Sequence, residues 1–61
     1  MRLTLEIECT TPAFDGNELS EAAEVMRQVA ELIRAGNLNP PVADAHGHRC
    51  GRLIVTYYEP A

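Results

Sequence analysis

The chain opens on a strict alternation. Met1, Leu3, Leu5, Ile7 and Cys9 share one parity, and Arg2, Thr4, Glu6 and Glu8 share the other. A period of two belongs to a strand with one buried face. Thr10-Thr11-Pro12-Ala13 then leaves the strand, because proline has no N–H to give a ladder. From Leu19 the period lengthens. Leu19, Ala22, Ala23, Met26, Val29, Ala30 and Ile33 form an apolar helical stripe, widened by Val25 and Leu32. Glu18, Glu21, Glu24, Arg27, Gln28, Glu31 and Arg34 fill the remaining positions and read as a solvated face. Asp15 is a candidate N-cap, with Glu18 completing a capping box and Phe14 and Leu19 placed as a hydrophobic staple. Asn17 is a rival cap that starts the helix two residues later. Acidic residues come early and Arg34 late, as the helix dipole favours. The helix is expected to run to about Ala35, with Gly36 as its C′ residue.

Asn39-Pro40-Pro41 forms a short stiff connector, and Val42 to Ala45 is expected as a brief strand. Asp44-Ala45-His46-Gly47 has aspartate first and glycine fourth, which suits a type I turn followed by a bulge. A two-residue turn on His46-Gly47 is the alternative and shifts the register by one. Arg52-Leu53-Ile54-Val55-Thr56-Tyr57-Tyr58 has the strongest strand propensity in the chain, and Pro60 is expected to end it.

The expected order is therefore β-α-β-β in an α+β domain covering residues 1–61, one helix packed on a small three-stranded antiparallel sheet. The third strand is placed at the centre, pairing antiparallel with both others. Leu3, Leu5, Ile7, Leu53, Val55 and Tyr57 then face the helix. Arg2, Thr4, Glu6, Glu8, Arg52, Ile54, Thr56 and Tyr58 make up the other face, which one helix on one sheet leaves open.

Size sharpens this picture. At 61 residues, the chain buries only about 60% of its unfolded surface, and its core is expected to supply no more than about 3–5 kcal/mol of net stability. A net charge of −4 and a pI near 4.9 disfavour direct nucleic-acid binding, which needs a basic patch. The five arginines are scattered and form no stripe. No apolar run reaches the roughly 18 residues of a membrane span, and the charged first strand is unlike an export signal. Two cysteines in that setting imply free thiols and a cytoplasmic location.

The chemistry-bearing residues cluster at one place. His46, His48, Cys50 and Cys9 are the soft ligands available to zinc, which takes about four in a tetrahedron. Strand parity puts Cys9 on the core face and Cys50 with Ile54 and Tyr58, so the thiols project to opposite sides unless Gly51 is a bulge. The same geometry argues against a disulfide. Cys50 with His48 as base is a formal nucleophilic pair, but no orienting group or oxyanion donor accompanies it. Glu6 and Glu8 share a strand face with Arg52, which favours cross-strand ion pairing over acid–base chemistry.

Asp44-Ala45-His46-Gly47-His48-Arg49-Cys50-Gly51, with the alternating strand and the Ala/Glu-rich helix ending in Gly36, resembles short phage- and prophage-encoded proteins of unknown function. These carry an Asp-x-Asn-Gly-Asn-x-Val-Gly hairpin. Asp44, Gly47 and Gly51 match it, His46 and His48 stand for asparagines, and Cys50 stands for valine. The resemblance implies turn roles for both histidines and brings no catalytic residues and no cofactor.

The expectation is a non-enzymatic interaction module that binds a host or phage protein, or itself as a dimer, through Glu6, Glu8, Arg52, Ile54, Thr56 and Tyr58. Tyrosine is enriched in such interfaces, and a host defence or nucleic-acid-processing protein is one class of partner. A small zinc-binding domain using the His46/His48/Cys50 tip with Cys9 or Glu8 is the alternative.

Overall fold

The computed structural model describes residues 1–58. It contains strand β1 (Arg2–Ile7), a 3-10 turn over Pro12–Phe14, helix α1 (Glu18–Arg34) and strand β2 (Gly51–Thr56). The two strands pair antiparallel, with Leu3 opposite Val55, Thr4 opposite Ile54, Leu5 opposite Leu53 and Glu6 opposite Arg52. The first and last strands thus pair as their alternation predicts. The helix does not cover the apolar row as expected: of Leu3, Leu5, Ile7, Leu53, Val55 and Tyr57 only Leu5 and Ile7 pack on the core.

The expected three-stranded sheet with a central third strand is not formed; the sheet has two strands. Val42 to Ala45 contributes a single bridge, Ala43 to Arg49. Pro40 and Pro41 stand directly before this segment and lack N–H donors. At its other end the turn begins at Asp44, whose carbonyl accepts the Gly47 N–H at 3.0 Å. Too few residues remain between prolines and turn for a ladder. The end expected at Pro60 lies outside the described residues.

The turn itself is the type I form with a bulge. Gly47 has φ of 81°, and Asp44 N–H donates to the His48 carbonyl at 2.9 Å.

Helix α1 begins at Asn17 rather than Asp15: the Glu21 N–H donates to the Asn17 carbonyl at 2.9 Å. The Asn17 amide nitrogen, in the orientation its surroundings favour, lies 3.1 Å from the Ala13 carbonyl and 2.9 Å from the Asp15 carbonyl. Its side chain therefore ties the helix start back onto the 3-10 turn. The staple is absent, because Phe14 is fully buried while Leu19 is 88% exposed. At the other end the expectation holds. Gly36 has φ of 94°, its N–H donates to Ile33, and Asn37 N–H donates to Leu32 at 3.0 Å, a Schellman motif.

The core consists of Phe14, Val25, Val29, Val42 and Cys50, flanked by Leu5, Ile7, Ala22 and Ile33. The buried helix seam is thus rotated from the expected stripe toward Glu21, Val25 and Val29, and leaves Leu19 and Met26 in solvent. Phe14, carried in by the 3-10 turn, is fully buried in the same cluster as Val25 and Val29. Only the Leu5–Ile7 end of the sheet joins the core; Leu3 and Tyr57, expected under the helix, are exposed. The molecule is elongated accordingly, with a radius of gyration of 12.9 Å against about 10.5 Å for a compact domain of this length.

Candidate functional site

The open face of the sheet is built from the even-numbered residues of both strands. Glu6 and Arg52 sit opposite each other, and Arg52 Nε donates to Glu6 Oε2 at 3.0 Å, the cross-strand pair their positions predict. Both side chains remain more than half exposed. Toward the free end Thr4 faces Ile54 and Arg2 faces Thr56. The Arg2 guanidinium lies 5.7 Å from the centre of the Tyr58 ring, a cation–π contact that lays the aromatic beside the strands. Ile54 and Thr4 are half-buried among these neighbours, while Thr56 and Tyr58 are exposed. Glu8 lies just beyond β1 and is also exposed; its N–H donates to the Cys50 carbonyl at 2.7 Å. All six candidate interface residues therefore belong to one contiguous surface, with Arg2 and Thr4 added.

The four candidate zinc ligands are not brought together. His46 and His48 are exposed at the tip, their rings 6.3 Å apart and edge to face. Cys9 is exposed, whereas Cys50 is buried in the core. This reverses the expected placement of the thiols, for a structural reason. Cys9 lies past the end of β1, and Cys50 lies just ahead of β2, so strand parity governs neither. Cys50 instead follows the hairpin, donating its N–H to the Val42 carbonyl at 2.9 Å. Among the described residues no group of three or more His, Cys, Asp or Glu side chains converges on a possible metal position.

Burial pushes the Cys50 thiol above its ordinary pKa, and the nearby charges of Asp44, Cys9 and Glu21 push the same way. Cys50 is buried in the cluster with Phe14 and Val42, where it packs as a small apolar group, while His48 is exposed at the tip.

Two carboxylates the sequence offered only as turn and surface residues organise the tip. Asp44 Oδ1 accepts the N–H groups of His46 at 2.8 Å and His48 at 3.0 Å, and Oδ2 accepts the Thr11 hydroxyl. These bonds hold its carboxyl below the usual range, with the Thr11 hydroxyl the largest cause and burial opposing it. Glu21, buried on the helix, accepts the Ala45 N–H at 2.7 Å. The hairpin tip is thereby tied to the β1–α1 loop and to the first turns of α1. Aspartate in a turn is a recognisable signal for bonds to its own loop. Nothing local marks Glu21, whose partner is 24 residues away.

Together the fold and this face define a small α+β domain with a one-sided sheet. Comparison of the chain with protein-family models, curated proteins and solved structures finds no match. Among the described residues no helix is long and apolar enough to cross a membrane.

Proposed function

We propose that this chain is a non-enzymatic protein-interaction module, encoded by a phage or other mobile element and acting in the bacterial cytoplasm. It docks a host or phage protein, or a second copy, through Glu6, Glu8, Arg52, Ile54, Thr56 and Tyr58. The observation that carries this reading is the one-sided sheet. Its polar row presents an ion pair, β-branched side chains and a tyrosine to solvent, while the core lies on the opposite side. That mixture of an aromatic, an apolar centre and a charged margin suits a protein surface. The net charge of −4 favours a partner with a basic surface, such as a nucleic-acid-processing or defence protein.

The test is affinity capture from bacterial lysate with the wild-type chain and with a folded Ile54→Asp/Tyr58→Ala variant. A protein enriched by the first and lost from the second supports the reading. Identical capture by both refutes it.

A further inference from the structure

The outer edge of β1 carries a self-complementary pattern. In the β1–β2 ladder Glu8 N–H points at the Cys50 carbonyl, and the Glu6 carbonyl points at Gly51. Strand backbone groups alternate in direction, so the even residues of β1 face β2 and the N–H and C=O groups of Leu3, Leu5 and Ile7 face outward. Among the described residues β1 has a strand neighbour on one side only, β2, so no second ladder meets those outward groups. β1 carries no lysine or proline, and its charged side chains are Arg2 and Glu6.

We propose that β1 pairs antiparallel with β1 of a second copy, centred on Thr4, so that the two sheets join into one. In this register Leu3 lies opposite Leu5 of the second copy, and each such pair exchanges both of its N–H···O bonds. Arg2 lies opposite Glu6 of the second copy, twice by symmetry, as an isologous interface requires. Met1 and Leu3, exposed in one copy, come beside Ile7 and Leu5 of the other, the end of the strand that joins the core. Shifting the register by one residue would set leucines against threonine, arginine or glutamate and mix the two faces. Strand β2 has no equivalent match: pairing with itself about Ile54 sets Arg52 against Thr56. Prolines 40 and 41 also stand beside it, in a groove shared with Leu53.

This inference shares with the proposed function the premise that the sheet meets other proteins, and it also uses Glu6, with Arg2 beside it, so the Ile54/Tyr58 variant is the one that separates the two. It concerns the edge, and the docking face stays open. Sedimentation velocity across micromolar to millimolar concentration is the readout, with circular dichroism confirming fold. The wild type is expected to dimerise. Arg2→Glu or Glu6→Arg alone places like charges opposite each other and weakens the dimer by roughly tenfold or more. An equimolar mixture of the two variants restores both opposite-charge pairs and recovers a heterodimer. Leu3→Pro, which removes an outward donor and no β1–β2 bond, is a second route to the monomer should Glu6→Arg unfold. The Ile54→Asp/Tyr58→Ala variant should still dimerise even where it loses a docking partner. A wild type that stays monomeric, a mixture that fails to recover, or loss of the dimer in the Ile54/Tyr58 variant would each overturn the inference.

Discussion

A methyl group at Gly51 is the most telling perturbation of this fold. Its Cβ would lie 1.9 Å from the Glu6 carbonyl oxygen, 2.9 Å from the Glu6 carbonyl carbon and 3.1 Å from the Ile7 Cα. All three are backbone atoms of β1, so no side chain can swing aside. The strands must separate by more than an ångström or the ladder must break at its anchored end. Gly51 does not occupy the left-handed region, so its cost on substitution is steric and not conformational. Replacing glycine where alanine fits would normally stabilise by about 0.4–1 kcal/mol. Here overpacking should outweigh that gain and cost about 1–3 kcal/mol or more, against a total of about 3–5 kcal/mol. At roughly 8 °C per kcal/mol for so small a domain, Gly51→Ala should lower Tm by ~10–20 °C. Thermal and urea denaturation followed by circular dichroism check this, with Gly47→Ala as the control. Gly47 has open space around its Cβ position and a φ of 81°, so its substitution carries only backbone strain, about 1–2 kcal/mol. A Gly51→Ala protein as stable as wild type would mean that Ile7 and Gly51 do not face each other, and the register described above would be wrong.

Three further expectations follow from the tip and the core. Glu21→Leu should destabilise by about 1.5–3 kcal/mol, because the Ala45 N–H loses a charged acceptor; Glu21→Gln, which keeps an acceptor, should cost less in the same urea titration. Asp44 has a folded pKa below its unfolded value, so its contribution is complete above the unfolded pKa near 3.9 and is lost as pH falls through the folded pKa. The midpoint of denaturation should therefore fall below about pH 4 in wild type, and Asp44→Asn should flatten that acid limb from an already lower plateau. With a thiol reagent at pH 8, Cys9 should react at once and Cys50 only as the chain unfolds. Equal labelling rates would contradict the buried position of Cys50.

Local pattern made several elements legible. The alternation of residues 1–9 and the propensity of residues 52–58 located both strands, their faces and their antiparallel pairing. Gly36 marked the helix end, and the Asp44–Gly47 spacing marked the turn. What the pattern missed was settled by long-range contacts. The helix carries apolar residues over a wide arc: Ala22, Val29 and Ile33 of the expected stripe pack inward with Val25 and Phe14, while Leu19 and Met26 stay in solvent. The Val42–Ala45 strand failed because the prolines and the turn squeezed it from both ends. The open face and its ion pair were readable, since cross-strand neighbours follow from register alone. The reversal of Cys9 and Cys50 was not, because parity stops applying where a ladder ends.

The Leu5–Ile7 end of the sheet is packed against Phe14, Val25 and Val29, while the Arg2–Thr56 end stands clear of the helix. One ladder therefore has two local stabilities. The Arg52 amide proton should exchange by near-global unfolding, and that of Thr56 by fraying of the free end alone. A partner docking as proposed on Thr4, Ile54 and Tyr58 would meet the end of the ladder that has no core support. Its arrival should register first as slowed exchange at that end, with the anchored end unchanged.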